Sequence, residues 1–339
     1  MIYDEEIQAR KLYETLTIEI LDSIDGSEIS IDGIGVHWHC ITRLKERTCR
    51  IDCLGSSGYA ISFNLHDATE ANGRTNSEEK VMSATITWLQ SGNLEKLYKL
   101  FEFVDYDKRS LLRVIDAFTN QYPECIQEVK IGLNQNFSGN FDLKIEAKDR
   151  FCKIYLRGET PTYDFYWDDC MLFSCLEKNS ESLLLIKLWL YDYYMPSQLE
   201  KKFEWLDIGE LAKYYEKGQG IEGEFILSWD RIEKFYRTPY SFIQNPEEIL
   251  KMIAELRSKG YDKTLRAGQS MDRFIVSRAR KHGFMKNYIA FYFFNKEMKV
   301  TAKFNSEEIL SFPDIKLNPK VEELIKQLEA KDLDLPPKY

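Results

Sequence analysis

Two stretches of sequence decide the fold: RTCRIDCLGSSGYAISFNL at residues 47–65 and RFCKIYLRGETPTYDFYWDD at residues 150–169. Each contains two runs in which apolar and polar residues alternate, separated by a short glycine-containing turn. Alternation of this kind predicts β-strands. Strands joined by so short a turn must pair antiparallel, because a parallel crossover needs a dozen or more residues. Cys49 and Cys152 occupy the same place in the two stretches, 103 residues apart.

Two further matches extend this similarity along the chain. Asn76-Ser77-Glu78 recurs as Asn179-Ser180-Glu181 at the same spacing of 103 residues. The apolar-acidic run at residues 101–105 recurs at residues 203–207, a spacing of 102. Three matches in the same order and at nearly constant spacing indicate an internal duplication.

The predicted unit is an amphipathic helix, then short antiparallel strands, then further helices. The first copy is predicted as helix 4–22, strands 34–41, 47–54 and 58–65, and helix 77–90. The second is predicted as helix 107–119, strands 140–147, 151–157 and 162–168, and helix 180–193. Such units give an α+β fold of tandem small antiparallel sheets, each covered by helices. The predicted domains are 1–105, 106–220 and a C-terminal α+β unit, 221–339.

A third Asn-Ser-Glu, at residues 305–307, leaves two interpretations open. It marks a diverged third copy, or it is a coincidence of helix-cap chemistry, since Asn and Ser are preferred N-caps and Glu suits a first turn. Either interpretation places a helix after it. Upstream, glycines at 218, 220 and 223 predict a loop leading into a strand at 223–229. Asn-Pro pairs predict helices at 246–259 and 319–330.

Composition and charge narrow the class of protein. The chain has 339 residues, 44% of them hydrophobic, and a net charge of −9. Such a charge repels nucleic acid and anionic membranes over most of the surface. The N-terminus lacks the basic start and apolar run of a secretory signal, and no apolar run is long enough to span a membrane. Seven cysteines without a signal are typical of reduced thiols, so we expect a cytoplasmic protein without membrane association.

Four side chains near the first strands are weak candidates for a metal site. They are His37, His39, Cys49 and Cys53, and imidazole with thiolate would suit zinc. Their spacing matches no established zinc pattern. The alternative is a sheet face with partly exposed imidazoles, so neither a metal nor another cofactor is predicted.

Acidic residues in the second copy raise a hydrolase alternative. Asp164, Asp168, Asp169 and Asp192 lie there, and Asp142 precedes Glu146-Ala147-Lys148 on a predicted strand. Carboxylates that hold Mg²⁺ beside a lysine that positions water are typical of metal-dependent nucleases. The competing interpretation is a solvated strand face, because Glu-x-Lys is common and recurs at residues 297–299.

The basic segment, residues 257–286, carries nine basic side chains against two acidic ones. Its net charge is +7, which leaves −16 for the rest of the chain. The aromatic strand YIAFYFF, residues 288–294, follows directly. Basic residues beside an aromatic sheet face can bind single-stranded nucleic acid. The favoured alternatives are contacts within the chain or with an acidic partner. The candidate binding residues for an anion, nucleic acid or acidic partner are Arg266, Arg273, Arg278, Arg280, Lys281, Lys286, Tyr288 and Tyr292.

These observations favour a non-catalytic protein-binding or adaptor protein over an enzyme. Duplicated α+β units build extended surfaces, and an inhibitor, an immunity protein or a chaperone-like module would use one to bind a protein partner that the sequence does not identify. The first alternative is a nucleic-acid-associated protein that binds through the basic segment and the aromatic strand. The second is a metal-dependent hydrolase or nuclease with carboxylates in the second copy.

Overall fold

The computed structural model describes residues 4–335, apart from 22, 136–140, 179, 240–242, 244, 271–272 and 305–306. The α+β prediction is confirmed. Three five-stranded antiparallel sheets alternate with helices along the described chain. In each sheet the strands follow one another in sequence order, so every sheet is a simple meander.

The first sheet has the order β1-β2-β3-β4-β5 and is preceded in sequence by one long helix and followed by a helical pair. The elements are α1 Asp4–Leu21, β1 Glu28–Ile34, β2 His37–Leu44, β3 Arg47–Cys53, β4 Tyr59–Leu65, β5 Ala68–Thr75, α2 Glu78–Ser91 and α3 Leu94–Leu100.

The second sheet repeats this plan with the order β10-β9-β8-β7-β6. The elements are α4 Tyr106–Gln121, β6 Lys130–Gln135, β7 Phe141–Ala147, β8 Arg150–Arg157, β9 Thr160–Trp167, β10 Cys170–Leu176, α5 Ser180–Leu190, α6 Pro196–Lys202 and α7 Gly209–Glu216.

The third sheet has the order β11-β12-β13-β14-β15, which fits a triplication. The elements are α8 Gly220–Arg237, α9 Pro246–Ser258, β11 Arg266–Ser270, β12 Arg273–Ser277, β13 Tyr288–Phe294, β14 Glu297–Lys303, β15 Glu307–Phe312 and α10 Pro319–Glu329. The helices predicted at 246–259 and 319–330 are therefore present, and each has proline in its first turn.

The first core shows why helices cover one face of the sheet. Helix α1 buries Ala9, Leu12, Leu16 and Ile20, which recur every three or four residues and so form one stripe. They pack with alternate residues of the strands, such as Cys49, Ile51 and Cys53 of β3. Because side chains alternate across a strand, the residues between these point to the opposite face of the sheet.

Equivalent contacts in the first two copies support the duplication at the level of single side chains. Arg47 at the start of β3 donates from Nη1 to the carbonyl of Trp88 in α2 at 3.5 Å. Arg150 at the start of β8 donates from Nη1 to the carbonyl of Trp189 in α5 at 3.3 Å. Each tryptophan also meets a phenylalanine of the next strand edge to face, at ring-centroid distances of 6.0 and 6.3 Å.

The strand predicted at 223–229 is wrong, because these residues belong to helix α8. The glycines that were interpreted as a loop signal allow α8 to approach the preceding segment closely. A Cβ at Gly223 would lie 2.4 Å from Cβ of Tyr214, and one at Gly220 would lie 2.8 Å from the ring of Tyr215. Glycine is used here for close packing between α7 and α8 rather than for a turn.

The third Asn-Ser-Glu does not open a helix. Asn305 and Ser306 lie outside the described residues, and Glu307 begins strand β15. The helix that closes the third sheet is α10, whose N-cap Asn318 accepts hydrogen bonds from the backbone N–H groups of Lys320 and Val321. The motif that pointed to a third copy is therefore not equivalent to the other two, although a third sheet exists.

Each sheet has five strands where three were predicted for each of the first two copies. The strand predicted at 34–41 is in fact the end of β1, a turn at Gly35-Val36 and the start of β2. Strands β1 (apart from Ile34), β5, β6 and β10 were missed. Strand β5 reads ATEANGRT and has one buried residue, Ala71, so it lacks the apolar alternation that indicates a strand.

Contacts divide the chain into two compact units, residues 1–145 with 154–161 and residues 146–153 with 162–339. Helices α4 and α8 begin at Tyr106 and Gly220, close to the domain boundaries expected from the sequence. The division into three domains stays a prediction.

Candidate functional site

Several side chains of the basic segment form ion pairs within the chain. Arg257 donates from Nη1 to Asp230 and Glu233, both at 2.8 Å, and from Nε to Asp262 at 3.2 Å. Lys259 pairs with Glu322 at 2.8 Å. These contacts agree with the interpretation that part of the segment's charge is balanced inside the chain.

Arg280 forms the most buried of these pairs. Its Nη2 lies 2.6 Å from Oε1 of Glu224, and the side chains are 12% and 6% exposed. The same nitrogen donates to the hydroxyl of Tyr215 at 2.8 Å and to the carbonyl of Asp168 at 3.1 Å. Tyr215 in turn donates to Glu224. The network fixes the chain after β12 against α7 and α8.

The pKa values in this network follow from burial and charge. Burial raises the pKa of the Tyr215 hydroxyl well above its usual range, and the neighbouring Cys170 and Glu224 raise it further. Burial opposes the charged form of Arg280, but Glu224 more than offsets it and raises the pKa of the guanidinium. Arg280 is therefore a permanent cation that holds the structure together and is only partly available to a ligand.

Arg278 is also used internally. Its Nη1 donates to the carbonyl of Thr264 at 2.5 Å and its Nε to the carbonyl of Lys331 at 3.1 Å. The side chain of Lys286 is exposed, while its backbone N–H donates to Asp334 at 2.8 Å. Among the candidate cations, the structure therefore separates Arg278, which braces the C-terminal segment, from Lys286, which faces solvent.

A basic pocket of about 300 Å³ brings together Arg266, Arg280 and Lys281. Arg231 from α8 also lines it, as do Glu224 and Cys170. Nη1 of Arg266 donates to the carbonyl of Arg280 at 2.7 Å, which orients the guanidinium. The sequence singled out three of these cations, but Arg231 was missed because it lies outside the basic segment, just after the stretch predicted as a strand at 223–229.

Arg273, Tyr288 and Tyr292 lie on the face of the third sheet that is turned away from its core. The core face carries Phe274, Ile289 and Phe291, and the alternate residues point the other way. The guanidinium of Arg273 lies 4.9 Å from the ring centroid of Tyr292. Nζ of Lys303 lies 5.9 Å from that of Tyr288. These cation–aromatic pairs form the basic–aromatic face, in which Lys303 is exposed and the other three side chains are half-buried.

The four weak metal candidates do not come together. Cys49 and Cys53 are buried in the first core, where burial raises the pKa of the Cys53 thiol to about 12. His37 and His39 point to the opposite face, and Nδ1 of His39 lies 3.4 Å from Nη2 of Arg50. No cluster of three or more His, Cys, Asp or Glu side chains suited to a metal is found in the part of the chain that the structure describes.

Two of the candidate carboxylates of the second copy, and the lysine of its Glu-x-Lys motif, have partners within the chain. Asp164 is buried and accepts a hydrogen bond from the hydroxyl of Ser174 at 2.7 Å. Asp192 pairs with Lys187 at 2.7 Å. Lys148 lies over the ring of Tyr193 at 4.6 Å. Each of these three contacts is structural, so none of them favours the hydrolase alternative.

A groove of about 710 Å³ lies along the outward face of the first sheet, and no sequence pattern predicted it. Small residues of β4 and β5 line it, namely Ala60, Ser62 and Gly73. The segment that connects α3 to α4 forms another part of the lining. Gly73 has to be small here, because a Cβ would lie 2.7 Å from the ring of Phe103.

Asp105 fastens that connecting segment, residues 101–105, to the edge of the sheet. Its backbone N–H donates to the carbonyl of Asn72 at 2.6 Å, and its Oδ1 accepts from the N–H of Asn72 at 2.8 Å. Its Oδ2 accepts from the hydroxyl of Tyr98 at 2.8 Å. Both carboxylate oxygens are therefore used to hold the groove open in one shape.

The groove, called the acidic groove below, is lined by more acidic than basic side chains. The acids are Asp52, Glu102, Asp105, Asp107 and Glu159, and the bases are Arg74, Lys80 and Lys108. Burial raises the pKa of Asp107, and nearby Arg74 opposes the shift. Glu102 and Glu159 are exposed and give the groove an acidic rim.

Comparison with known protein families, curated proteins and solved structures finds no match to this chain. A helix with the length and apolar character required to cross a bilayer is not found among the residues that the structure describes. The geometry and charge of the sites themselves are therefore the basis for a function.

Proposed function

We propose that this protein is a non-catalytic binding or adaptor protein that takes a basic segment of a partner protein into the acidic groove. The observation that carries the proposal is the groove itself, a preformed concavity of about 710 Å³ between the outward face of the first sheet and the first turn of α4. Its volume lies in the range of ligand-binding clefts.

The shape of the groove favours an extended segment. Small side chains at Ala60, Ser62 and Gly73 let a peptide backbone approach the sheet closely. The segment fixed by Asp105 covers the edge of β5 through the Gly73–Val104 bridge. The partner would therefore lie across the face of the sheet rather than add a strand to that edge.

The charge of the groove favours a basic partner. Glu102 and Glu159 are exposed on its rim and form no ion pair among the residues that the structure describes. Complementary charge of this kind increases the association rate and selects the partner. The attraction should weaken as salt is added, because exposed charges are screened over about 8 Å at physiological ionic strength.

The experiment measures binding of fluorescein-labelled ten-residue peptide pools, one rich in Lys and Arg and one rich in Asp and Glu, by fluorescence anisotropy. We expect the basic pool to bind and the acidic pool not to bind. The variant Glu102→Gln/Glu159→Gln should weaken basic-pool binding about thirtyfold at low salt, from roughly 1 kcal/mol for each of the two lost charges.

The matched control is Glu14→Gln/Glu19→Gln. It makes the same change of charge on the exposed side of α1, which packs on the other face of the sheet. It should leave peptide affinity unchanged. Equal weakening in both double variants would show that the peptides respond only to the net charge of the protein and do not bind in the acidic groove.

A second candidate function, binding of single-stranded nucleic acid, is favoured by the basic–aromatic face. Cross-strand pairing places Arg273, Tyr292 and Lys299 in one row on the outward side of the third sheet. Phe294 is 65% exposed further along β13. Aromatic rings flanked by cations provide stacking and phosphate contacts together.

A 20-nucleotide single strand distinguishes this candidate from protein binding. If the face binds it, Lys299→Gln/Lys303→Gln should weaken binding, and affinity should fall steeply with salt. The control Lys234→Gln/Lys251→Gln changes exposed lysines of α8 and α9, whose buried faces pack on the other side of the sheet. No binding, or equal weakening in both variants, would exclude the basic–aromatic face.

A further inference from the structure

We propose that the basic pocket of the second unit binds a phosphate group. The pocket has a volume of about 300 Å³ and lies where α8, β11 and the chain after β12 meet the turn before β10. Arg231, Arg266, Arg280 and Lys281 all line it. It is separate from the acidic groove, which belongs to the first unit.

The cations of the pocket outnumber its acids. Of the two acidic residues in its lining, Glu224 is already paired with Arg280, and Asp169 is the other. Arg231 and Lys281 form no ion pair with any residue that the structure describes, and both have exposed or half-exposed side chains. The remaining charges are three cations, Arg266, Arg231 and Lys281, and one acid, Asp169. The pocket therefore has an excess of positive charge.

Arg266 has a buried hydrogen-bond donor that is available to an anion in the pocket. Its Nε is buried and has no hydrogen-bond partner within the described chain. Burial lowers the pKa of its guanidinium, and the like charge of Arg231 lowers it further. A buried guanidinium with an unused donor and a cationic neighbour is costly unless an anion supplies acceptors.

Phosphate matches these groups better than a single carboxylate does. It is close to a dianion near neutral pH and has several acceptor oxygens, whereas three cations around one carboxylate would leave positive charge unbalanced. Arginine binds phosphate through two parallel N–H donors, and lysine contributes a point charge. Arg266 would then be the fixed donor at the base of the pocket, while Arg231 and Lys281 close on the anion from the rim.

The test titrates inorganic phosphate into the full-length protein and follows heat of binding and thermal unfolding. Sodium chloride at matched ionic strength corrects for screening. We expect saturable phosphate binding with a rise in Tm. The variant Arg231→Gln/Lys281→Gln should weaken it at least about tenfold, the loss typical of charge-assisted hydrogen bonds. Neither side chain has a described partner, so we expect the variant to fold.

The control Arg237→Gln removes a cation from the same helix outside the pocket, where Arg237 is 67% exposed and pairs with Glu233. It should bind phosphate like the unmodified protein. Phenyl phosphate provides a second arm: tighter binding than phosphate indicates a phosphate monoester as the ligand, and weaker binding indicates free phosphate.

Two results would overturn the proposal: equal stabilisation by phosphate and chloride, or unchanged phosphate affinity in Arg231→Gln/Lys281→Gln. Neither result affects peptide binding in the acidic groove. The two sites can therefore fail independently.

Discussion

Arg47 and Arg150 occupy the same position in the first two copies but have different surroundings. Arg47 is half-buried and makes one long hydrogen bond, to the carbonyl of Trp88 at 3.5 Å. Arg150 is 1% exposed, and its guanidinium lies 4.1 Å from the ring centroids of both Trp167 and Trp189.

A third ring and the backbone complete the enclosure of Arg150. The ring of Tyr193 lies at 4.5 Å, and Nη1 donates to the carbonyl of Tyr194 at 2.7 Å. Burial lowers the pKa of Arg150, although the nearby Tyr193 and Asp149 favour the charged form. Duplication therefore preserves the position of an arginine, while the surrounding aromatic residues decide whether it is a surface contact or a core residue.

The largest effect should come from Arg150→Gln. The substitution leaves a cavity between three rings and unpairs one buried and one partly buried carbonyl, so we expect a loss of about 3 kcal/mol in the free energy of unfolding. Arg47→Gln should cost less than about 1 kcal/mol, because one long, partly exposed hydrogen bond is lost. Urea unfolding of both variants measures the difference.

Arg150→Lys sharpens the same comparison. A lysine keeps the charge but lacks the planar guanidinium that stacks between the rings and holds its N–H donors in a fixed geometry. We expect it to restore only part of the stability that Arg150→Gln loses. Losses of equal size at positions 47 and 150 would show that the aromatic enclosure contributes nothing beyond the shared backbone position.

A smaller effect should follow from Tyr193→Phe. The Tyr193 hydroxyl donates to Asp149, as does Nε1 of Trp167 at 2.7 Å. Burial alone would raise the pKa of Asp149, but these hydrogen bonds more than offset it and lower the pKa. Loss of the hydroxyl should cost about 1 kcal/mol near neutral pH.

The pH dependence of the stability loss in Tyr193→Phe tests whether the charge of Asp149 causes that loss. Because the folded pKa of Asp149 is depressed, its contribution is present above the unfolded pKa of about 3.9 and disappears as the pH falls below it. The stability curves of the variant and the original protein should therefore converge as the pH falls below about 3.9 and through the lower folded pKa. A constant difference down to pH 2 would contradict the role of Asp149.

The smallest effect concerns thiol reactivity in the two copies. Burial raises the pKa of Cys170 to about 11 and that of Cys175 to about 12, and both are partly exposed. The equivalent pair Cys49 and Cys152 is fully buried. Since the thiolate is the reactive form, iodoacetamide at pH 8 should modify Cys170 slowly and about tenfold faster at pH 9.

Mass spectrometry after timed labelling measures this order. Cys49 and Cys152 should react only in urea-unfolded protein, which is the control. Labelling of Cys152 as fast as Cys170 in the folded protein would show that the second copy opens more readily than its burial indicates.

The duplication and the fold class could be predicted because they depend on local pattern. The alternation around Cys49 and Cys152 and the cap at Ser77, which accepts from the N–H of Lys80 at 3.2 Å, are determined by neighbouring residues. The edge strands could not be predicted in this way. Strand β5 is held by pairing with β4 and by Asp105, and neither contact is visible in its own sequence.

The binding sites could be predicted only in part, because they too depend on contacts between residues that are far apart in sequence. Charge counting identified Arg266, Arg280 and Lys281, but it could not show that Glu224 neutralises one of them. That partner lies 56 residues away on a segment whose glycines resemble a loop. The acidic groove depends on the fold of the first sheet and left no pattern along the chain.

The sequential order of the strands has a consequence for synthesis of the chain. Every residue of the first core lies between Ala9 and Val104. Once that length has left the ribosome, everything needed to close this core is present, and hairpin pairing between neighbours keeps the loop-closure cost low. We therefore expect the first sheet to form while the rest of the protein is still being made, which force measurements with stalled nascent chains of increasing length would detect as an early folding event.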